Sequence, residues 1–497
     1  MKILCLGNNT EDSDQLSRQI ALDHDLEYHG LITDLESEFD LALLLENGVY
    51  HSTIFDCVFG RLVQICDKFD RVIMLDQPKI SYGHTDAWLQ TQRVMQATVA
   101  RDKSYTESNY WQNVLSSNPS FCILPWVQQY IGDATDAQSV QLCCRSPIKI
   151  GKIMGKITEW QQDPKYTVIR NKMLSGQKIP HCENCYHQES QGLVSDRHTE
   201  TIEWVNRLDL VDLTSLSHIE KPAYYEVRNS DRCNLQCRMC APHNSHKIAK
   251  EYEKLGWHQS HEKTKIAVNV FDFIEFEHTK KIYVAGGEPM LNADFFKWLH
   301  QCRQTNHTEI ECVINTNGTK LPQRLKKFLP VFPNLQFIFS IDAHDAHNDY
   351  IRWGSSWQDI IANWHELVQH GKKVHVNTTV SIYNVHKLST LYQYIDQHFD
   401  GTCCHINLVN QPAHLSPCNF PDTELAVRDL KLVRDTKCYA NNPLIANNVE
   451  YLIRHFEQRR STDDSLLDKF FVFNDTLDSS RDSRLDLYDP VLAQWRR

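Results

Sequence analysis

The chain has 497 residues, of which 41% are apolar and 23% charged, and its formal net charge is −11. This length predicts two to four domains, and the acidic balance excludes a nucleic-acid footprint over the chain as a whole. No apolar run is long enough to span a bilayer. The 17 cysteines fall in clustered spacings, which favours metal binding over disulfides and predicts a protein of the reducing cytoplasm.

Residues 1–112 predict a small N-terminal α/β domain. Strand and helix patterns alternate in it, and one apolar stretch, Phe39–Leu45, is ambiguous between the two. The predicted strands are Lys2–Gly7 and Arg71–Asp76, and the predicted helices are Asp12–Ala21 and Ile54–Phe69. We interpret this domain as a site of substrate or partner recognition, although no motif in it names a ligand.

Residues 113–200 form a cysteine-rich segment. Cys182 and Cys185 form a CxxC pair, a spacing that places two thiolates on one metal site. Cys122 and one of the adjacent residues Cys143 and Cys144 would complete four ligands, enough for a closed iron–sulfur cluster or a zinc site. Successive side chains of an extended strand point in opposite directions, so we expect only one of the adjacent pair to bind, and we favour Cys143.

After a polar connector at 201–220, residues 221–412 alternate between predicted strands and helices. This alternation predicts a parallel sheet, and in parallel barrels the chemistry gathers at the carboxyl ends of the strands. The clearest helices are Asn292–Arg303 and Trp357–Gly371. The predicted strands are Tyr224–Arg228, Lys281–Ala285, Glu311–Asn315, Gln336–Ile341, Lys373–Val380 and Cys404–Asn410.

Residues 413–497 predict a C-terminal helical extension. Leu425–Val433 and Asn448–Glu457 have helical spacing, and we expect the tail from Asp463 to pack over the barrel mouth. Four further cysteines have irregular spacing and no CxxC, so we interpret them as ordinary thiols, with a third metal site as the alternative. They are Cys403, Cys404, Cys418 and Cys438.

The most informative motif is the CxxxCxxC array of Cys233, Cys237 and Cys240, within RNSDRCNLQCRMC. A loop with this spacing can bind three irons of a cubic [4Fe–4S] cluster and leave the fourth iron open for a small chelating ligand. Zinc is the alternative, because His243 or His246 could supply a fourth protein ligand.

Three downstream segments favour the cluster. KIYVAGGEP, VINTNG and FIFSIDAHDAHNDYIRWG each open with an apolar strand, and each strand runs into a polar turn. With the cysteine loop, they resemble the radical S-adenosylmethionine (SAM) enzymes. This resemblance implies an α/β fold with a partial (β/α)6 TIM-type barrel, and a cluster that reductively cleaves SAM to a 5′-deoxyadenosyl radical. Met239 departs from the family, which usually has an aromatic residue beside the last cysteine.

The resemblance also implies which residues contact SAM. The turn after the second barrel strand is expected to meet the methionine amino group, with Glu288 anchoring the ammonium by charge-assisted hydrogen bonding. Arg352 is expected to pair with the SAM carboxylate, and polar residues at other strand ends are expected to contact the ribose or the methionine head. The full predicted set is Gly286, Gly287, Glu288, Pro289, Asn315, Ser340, Asp342 and Arg352.

The cysteine-rich segment resembles the SPASM or twitch auxiliary-cluster module, because Arg170-x-x-Met173-Leu174-x-Gly176 leads into the CxxC pair. In many of those enzymes the module follows the barrel, whereas here it precedes it. The resemblance implies a second [4Fe–4S] cluster, bound by Cys122, Cys143, Cys182 and Cys185. We expect this closed cluster to exchange an electron with the substrate or to stiffen the domain, and structural zinc is the alternative.

The predicted function is that of a radical SAM oxidoreductase or maturase. We expect it to abstract hydrogen from a peptide or protein, with dehydrogenation or cross-linking as the outcome and a flavodoxin- or ferredoxin-type protein as electron donor. One alternative is the same chemistry on a small metabolite, such as a sugar or amino acid derivative. The other is a non-catalytic scaffold stabilised by zinc or a cluster. The sequence singles out no catalytic acid or base, no substrate and no oligomeric state.

Overall fold

A computed structural model describes residues 2–7, 27–31, 41–45, 110–133, 136–146, 148–152, 163–228, 230–257, 269–399, 402–459, 461 and 463–496. The chain divides into two compact units, Met1–Thr106 and Glu107–Arg497. Three elements predicted from the sequence lie outside the described residues. They are Asp12–Ala21, Ile54–Phe69 and Arg71–Asp76.

The first unit contains three parallel strands in the order β2-β1-β3. They are β1 (Lys2–Gly7), β2 (Glu27–Leu31) and β3 (Leu41–Leu45). Strand β3 lies within the apolar stretch that the sequence left ambiguous, and it pairs with β1 over its whole length. The backbone hydrogen bonds of this pairing show that the stretch is a strand, which its hydrophobic pattern alone could not establish.

The second unit is built on a nine-stranded sheet in the order β12-β11-β10-β9-β8-β7-β4-β5-β6. Seven of these strands, β7 to β12 and β4, pair in parallel, whereas β5 and β6 add antiparallel pairs beyond β4. The strands are β4 (Gln128–Asp133), β5 (Asp136–Gln141), β6 (Lys149–Lys152), β7 (Tyr224–Val227), β8 (Lys281–Val284), β9 (Glu311–Thr316), β10 (Leu335–Ser340), β11 (Lys373–Val380) and β12 (Cys404–Leu408).

Helices connect and cover these strands. The short ones are α1 (Leu124–Val127), α7 (Gln323–Lys326), α8 (Ala346–Ile351), α12 (Lys437–Ala440), α15 (Leu485–Tyr488) and α16 (Pro490–Ala493). The longer ones are α2 (Pro164–Leu174), α3 (Glu183–Ser190), α4 (Asp196–Arg207), α5 (His246–Lys254), α6 (Ala293–Gln304), α9 (Trp357–Gln369), α10 (Leu388–His398), α11 (Thr423–Val433), α13 (Pro443–Gln458) and α14 (Asp464–Arg481). None of the helices in the described part of the chain combines the length and apolar character that a membrane crossing requires.

The partial barrel predicted from the sequence is confirmed, with one addition. All six predicted barrel strands are present as β7 to β12. The seventh parallel strand, β4, comes from the cysteine-rich segment and pairs with the first barrel strand, Gln128 lying beside Tyr224. The sequence did not predict β4, because pairing between segments almost 100 residues apart leaves no local pattern. The cysteine-rich segment and the barrel therefore share one sheet.

The carboxyl-terminal half of helix α4 packs at the amino-terminal end of the barrel. Glu203 accepts a hydrogen bond from Lys281 at 2.7 Å, and Arg207 donates to Glu311 at 2.7 Å. Lys281 and Glu311 are the first residues of β8 and β9, so both contacts lie at the amino ends of these strands. Trp204 is fully buried and stacks on Tyr224 with ring centroids 5.2 Å apart. The candidate site is therefore expected at the opposite end, where the carboxyl ends of the strands meet.

The C-terminal tail is tied to the barrel by a buried carboxylate. Asp489 is fully buried, with His386 at 3.1 Å and Lys387 at 3.4 Å. His347 lies 3.9 Å from the same carboxylate. Burial, with charge on Lys387 and His386 and against the effect of Asp489, lowers the pKa of His347 to about 3. His347 is therefore held neutral in the folded protein.

We predict that the protein loses stability as the pH falls from about 6.5 to about 4. The folded-state pKa of His347 lies below its unfolded value, so its contribution is complete above about pH 6.5 and declines on acidification. One such group changes the free energy of unfolding by at most about 1.4 kcal/mol per pH unit. Urea unfolding at several pH values would measure the slope. His347→Gln should flatten it, whereas the same substitution at the exposed His370 should not.

Candidate cofactor and metal sites

The three cysteines of the CxxxCxxC array lie together on the loop after β7, the first strand of the predicted barrel. Burial, together with charge on Cys237, raises the pKa of Cys233 to about 12. Burial likewise raises the pKa of Cys240, with contributions from Cys237 and Cys233. The three thiols therefore lie near enough for charge on one to raise the pKa of another.

This loop is paired with the segment that follows β10. The backbone N–H of Gln236 donates to the carbonyl of Trp353, and that of Arg238 donates to the carbonyl of Ile351, both at 2.9 Å. These two bonds hold the backbone of the cysteine loop against the end of α8 and the turn that follows it. The side chains of neighbouring loop residues have different partners: the sulfur of Cys237 lies 3.9 Å from Nη1 of Arg352, whereas Arg238 donates to Asn474 and Asp478.

The Gly-Gly turn after β8 packs directly against the cysteine loop. Gly286 and Gly287 have φ of +84° and +57°, a region that L side chains seldom adopt. A Cβ on Gly287 would lie 2.5 Å from the carbonyl oxygen of Arg232, and one on Gly286 would lie 3.1 Å from the carbonyl oxygen of Ser230. The next residue, Glu288, donates its backbone N–H to the Arg232 carbonyl at 2.7 Å. Only glycine allows this approach of two backbones.

Glu288 is enclosed by protein donors. Its carboxylate accepts hydrogen bonds from the backbone N–H of Met290 at 2.9 Å, the hydroxyl of Thr316 at 2.7 Å and the backbone N–H of Asn317 at 2.8 Å. Burial raises the pKa of Glu288 in spite of these donors. The sequence predicts this carboxylate as the anchor of the SAM ammonium, and that role stays a prediction. In the folded chain Glu288 ties β8 to β9.

Arg352 lies between a carboxylate and a cysteine. Its Nε is 2.7 Å from Oδ2 of the fully buried Asp342, and its Nη1 donates to the sulfur of Cys237 at 3.9 Å. Asp342 also accepts the backbone N–H of Thr379 at 2.8 Å. The guanidinium predicted to pair with the SAM carboxylate thus already contacts a predicted cluster ligand. Ser340 and Asn315 lie beside each other at the ends of their strands, 3.2 Å apart.

The cysteine-rich segment brings a second set of thiols together. Burial raises the pKa of Cys143, and charge on Cys122, Cys185 and Cys182 raises it further. Burial also raises the pKa of Cys182 to about 12, with Cys185 adding to the shift. The four sulfur atoms come from the start of α1, the turn after β5 and the start of α3. Segments separated in sequence therefore meet at one place.

Cys144 differs from this set in its charged neighbours and its exposure. Glu226 in β7 raises the pKa of Cys144 and Arg228, just after β7, lowers it, with a smaller effect of Cys143. Cys144 is exposed to solvent, whereas Cys122, Cys182 and Cys185 are buried. This agrees with the expectation that adjacent cysteines diverge, and it supports Cys143 as the fourth member of the second set.

The sequence did not single out two arginines that support the second set. Arg197 is buried and pairs with both oxygens of Glu189 at 2.8 Å, while its Nη1 donates to the carbonyl of Phe121, the residue before Cys122. Arg145, directly after Cys144, pairs with Asp196 on α4 and donates to the Asn407 amide of β12 at 2.8 Å. Arg145 could have been noticed in the sequence because it directly follows a motif cysteine. No local pattern marks Arg197.

The donor chemistry of both sets fits iron–sulfur clusters, since all seven predicted ligands are thiols. As they stand, no three or more His, Cys, Asp or Glu side chains among the described residues are grouped so as to hold a metal ion. His246, one predicted fourth ligand of a zinc site, accepts the backbone N–H of Cys233 through Nδ1 at 3.2 Å.

Of the four remaining cysteines that the sequence marked as ordinary thiols, two lie together. The sulfur atoms of Cys404 and Cys438 are 3.1 Å apart, and both side chains are buried. Cys418 lies against a different helix, beside Arg459. Their assignment as ordinary thiols stays a prediction.

Comparison with known proteins bears on the barrel. Residues 229–394, which carry the cysteine loop, the Gly-Gly turn and Arg352, match the family model described as Radical SAM superfamily. Among curated proteins, GTP 3′,8-cyclase of Campylobacter lari is 24% identical over 103 residues, which is 21% of this chain and 30% of that protein. The chain therefore matches less than a third of the length of this relative.

Solved structures show only partial overall likeness. Native anSMEcpe with bound AdoMet and Cp18Cys peptide is 18% identical, with 43% of this chain and 58% of that chain covered and a TM-score of 0.30. Streptococcus suis SuiB bound to its precursor peptide SuiA is 14% identical, with 59% and 62% covered and a TM-score of 0.32. The chain spans about three fifths of each, and at these scores the likeness carries no argument about its activity.

We predict that Gly287→Ala disrupts the cysteine loop. The new Cβ would collide with the Arg232 backbone, which cannot move aside as a flexible side chain can. Iron bound per chain after anaerobic reconstitution should fall by about half, since one of two clusters is affected. Gly371→Ala is the matched control. It has a similar φ of +69° but nothing within 4 Å of the new Cβ, so it should cost about 1–2 kcal/mol of stability and no iron.

We also predict different outcomes at the adjacent cysteines. Cys143→Ser should remove one ligand of the second thiol set and lower the iron content by about four per chain. Cys144→Ser should leave the iron content unchanged, because Cys144 is exposed and its pKa responds more to Glu226 and Arg228 than to the second thiol set. Measurement of iron and acid-labile sulfide in both variants shows which of the two cysteines is a cluster ligand. Equal losses from the two variants would contradict the assignment of Cys143.

Proposed function

We propose that this chain, whose residues 229–394 form a radical SAM domain, is a radical SAM enzyme that oxidatively modifies a peptide or protein by hydrogen abstraction. Dehydrogenation or cross-linking would be the outcome. Cys233, Cys237 and Cys240 are proposed to hold the [4Fe–4S] cluster that binds SAM. The observation that carries the proposal is the backbone contact between this cysteine loop and the Gly286-Gly287 turn, which brings two family motifs together at the carboxyl ends of β7 and β8.

When bound, the open cluster and SAM together supply a carbon radical that abstracts hydrogen from the substrate. The residues of the chain hold and shield this pair. Gly286 and Gly287 keep the turn close to the loop, and Asp342 orients the Arg352 guanidinium toward Cys237. A cation that donates a hydrogen bond to a ligating sulfur stabilises negative charge on it, so Arg352 is proposed to tune the cluster as well as to meet the SAM carboxylate.

The second thiol set is proposed to bind an auxiliary [4Fe–4S] cluster. Its support is the mutual effect of the charges on Cys122, Cys143, Cys182 and Cys185, together with their purely sulfur donor set. Strand β4 follows Cys122 closely and pairs with β7, whose loop carries the other thiols. This shared sheet fixes the separation of the two sets. Electron exchange between the auxiliary site and a substrate in the barrel would then favour oxidative outcomes.

The substrate class rests on the polar lining of the barrel. Asn407 receives a hydrogen bond from Arg145 and donates to the amide oxygen of Asn377 at 2.7 Å, which forms a continuous polar ladder across β12 and β11. Amide side chains both donate and accept, as a peptide backbone does. This pairing supports a peptide or protein substrate. A flavodoxin- or ferredoxin-type protein is the proposed electron donor.

A small metabolite is the second candidate substrate. Its specific support is the partial match to GTP 3′,8-cyclase, a protein whose name gives a nucleotide as its substrate. The same radical chemistry would then act on a small molecule in the barrel. The family match over residues 229–394 favours either enzyme over a non-catalytic scaffold stabilised by zinc.

Two cysteine variants test the proposal. The intact protein, reconstituted without oxygen, should bind about eight irons per chain and release 5′-deoxyadenosine from SAM when reduced with dithionite. Cys237→Ala should abolish this release, because it removes a ligand of the SAM-binding cluster. Cys182→Ala should bind about four irons and still cleave SAM, but it should not yield modified product.

Cys302→Ala provides the control, since Cys302 is a fully buried thiol of α6 outside both sets. The Cys302→Ala variant should bind as much iron as the wild type and still cleave SAM. Zinc without iron in the reconstituted protein, or normal cleavage by Cys237→Ala, would overturn the assignment of the barrel site. A screen of peptides against small metabolites, read by mass change under the same conditions, separates the two candidate substrates.

A further inference from the structure

The cysteine loop is supported from behind by a buried arginine. Arg238 stands between Cys237 and Cys240 in the chain and is completely buried. Its guanidinium donates to Asn474 Oδ1 at 3.0 Å and to Asp478 Oδ1 at 2.5 Å, and both acceptors lie on α14. The same guanidinium lies 3.7 Å from the ring centroid of Tyr350. Helix α14 therefore contacts the loop through the Arg238 side chain.

The two acceptors on α14 are themselves held in place. Asp478 accepts the hydroxyl of Ser483 at 2.7 Å and the backbone N–H of Leu485 at 2.9 Å. This return of the chain depends on Asp482, whose φ of +50° ends the helix in the left-handed region. Asn474 also accepts the hydroxyl of Tyr383 at 2.9 Å. The position of the Arg238 head is thus determined by several rigid contacts.

A second contact joins α14 to the helix that follows the loop. Arg481 pairs with Glu251 on α5 through two hydrogen bonds, of 2.6 and 2.8 Å, and both side chains are buried. Gln236 lies near the same carboxylate and helps to lower its pKa. Gln236 and Arg238, the two chain neighbours of Cys237, are therefore both in the surroundings of α5 and α14.

We propose that α14 is part of the SAM-cluster site, and that Asp478 is a positioning residue that acts on Cys237 and Cys240 through Arg238. This inference rests on the proposed function of the barrel. Arg238 is bonded to α14 while the sulfur of its chain neighbour Cys237 lies 3.9 Å from Arg352, so anchoring the Arg238 side chain restricts where the Cys237 thiol can lie. Residues that orient metal ligands in this way govern how firmly the metal is held.

Asp478→Asn in the full-length protein tests the proposal. The substitution keeps the shape of the side chain but removes the charge that Arg238 requires. After anaerobic reconstitution, the SAM-responsive cluster should be lost to an iron chelator about tenfold faster than in the wild type. The EPR change that SAM produces in the reduced cluster should also differ, which a purely structural role for Asp478 would not cause.

Asp475→Asn is the matched control. Asp475 lies on the same helix, where it pairs with Arg496 at 2.8 Å in a partly exposed position away from the loop. This variant should retain the wild-type rate of cluster loss and the wild-type EPR response. If both variants lose the cluster equally fast, the effect belongs to α14 in general and the role of Asp478 is overturned.

A double variant keeps the test valid if Asp478→Asn does not fold. Arg238→Met with Asp478→Leu replaces the buried ion pair by apolar side chains of similar size, an exchange that proteins often tolerate without loss of stability. This variant should keep the wild-type melting temperature but still lose its SAM-responsive cluster faster. Wild-type cluster retention in a folded variant would overturn the positioning role. Absence of a SAM-responsive cluster in the wild type would instead overturn the proposed function.

Discussion

The arrangement of the barrel site depends on the contact between two backbones. The turn at Gly286 and Gly287 lies so close to the cysteine loop that a single added carbon would meet the Arg232 carbonyl at 2.5 Å. The hydrogen bond from Glu288 to the same carbonyl then fixes the distance between the loop and the turn. Because Glu288 also binds the turn after β9, three neighbouring strands end in one connected unit.

The second thiol set is related to this unit through the sheet. Strand β4 extends the parallel sheet by one strand beyond β7, and the antiparallel strands β5 and β6 continue it. Cys143 follows β5, and Arg145 reaches from the same turn to β12 on the other side of the barrel. A module attached in this way cannot move as an independent domain, because its hydrogen bonds belong to the barrel sheet. The two predicted clusters therefore share one framework.

Buried charge pairs attach the C-terminal extension to the barrel. Asp478, Arg481 and Asp489 all lie in the last 35 residues, and each has an oppositely charged partner on the barrel or its first helix: Arg238, Glu251 and Lys387. Such pairs add little net stability, but breaking one leaves an uncompensated charge inside the protein. They act by specifying where the tail docks. The sequence predicts that the tail from Asp463 packs over the barrel mouth, and the partners of its buried charges lie on the loops after β7 and β11 and on α5.

The sequence by itself determined the parts of this protein that local pattern encodes. Strand–helix alternation predicted β7 to β12, and the spacing of Cys233, Cys237 and Cys240, with the Gly-Gly-Glu-Pro turn, predicted the family that the comparison then matched. Tertiary structure alone decided that β4 joins the barrel, that Cys143 and Cys144 face different surroundings, and that Arg238 is held by α14. Each of these depends on contacts between residues far apart in the chain. No local periodicity or spacing records such contacts, because their partners are chosen only when the chain is packed.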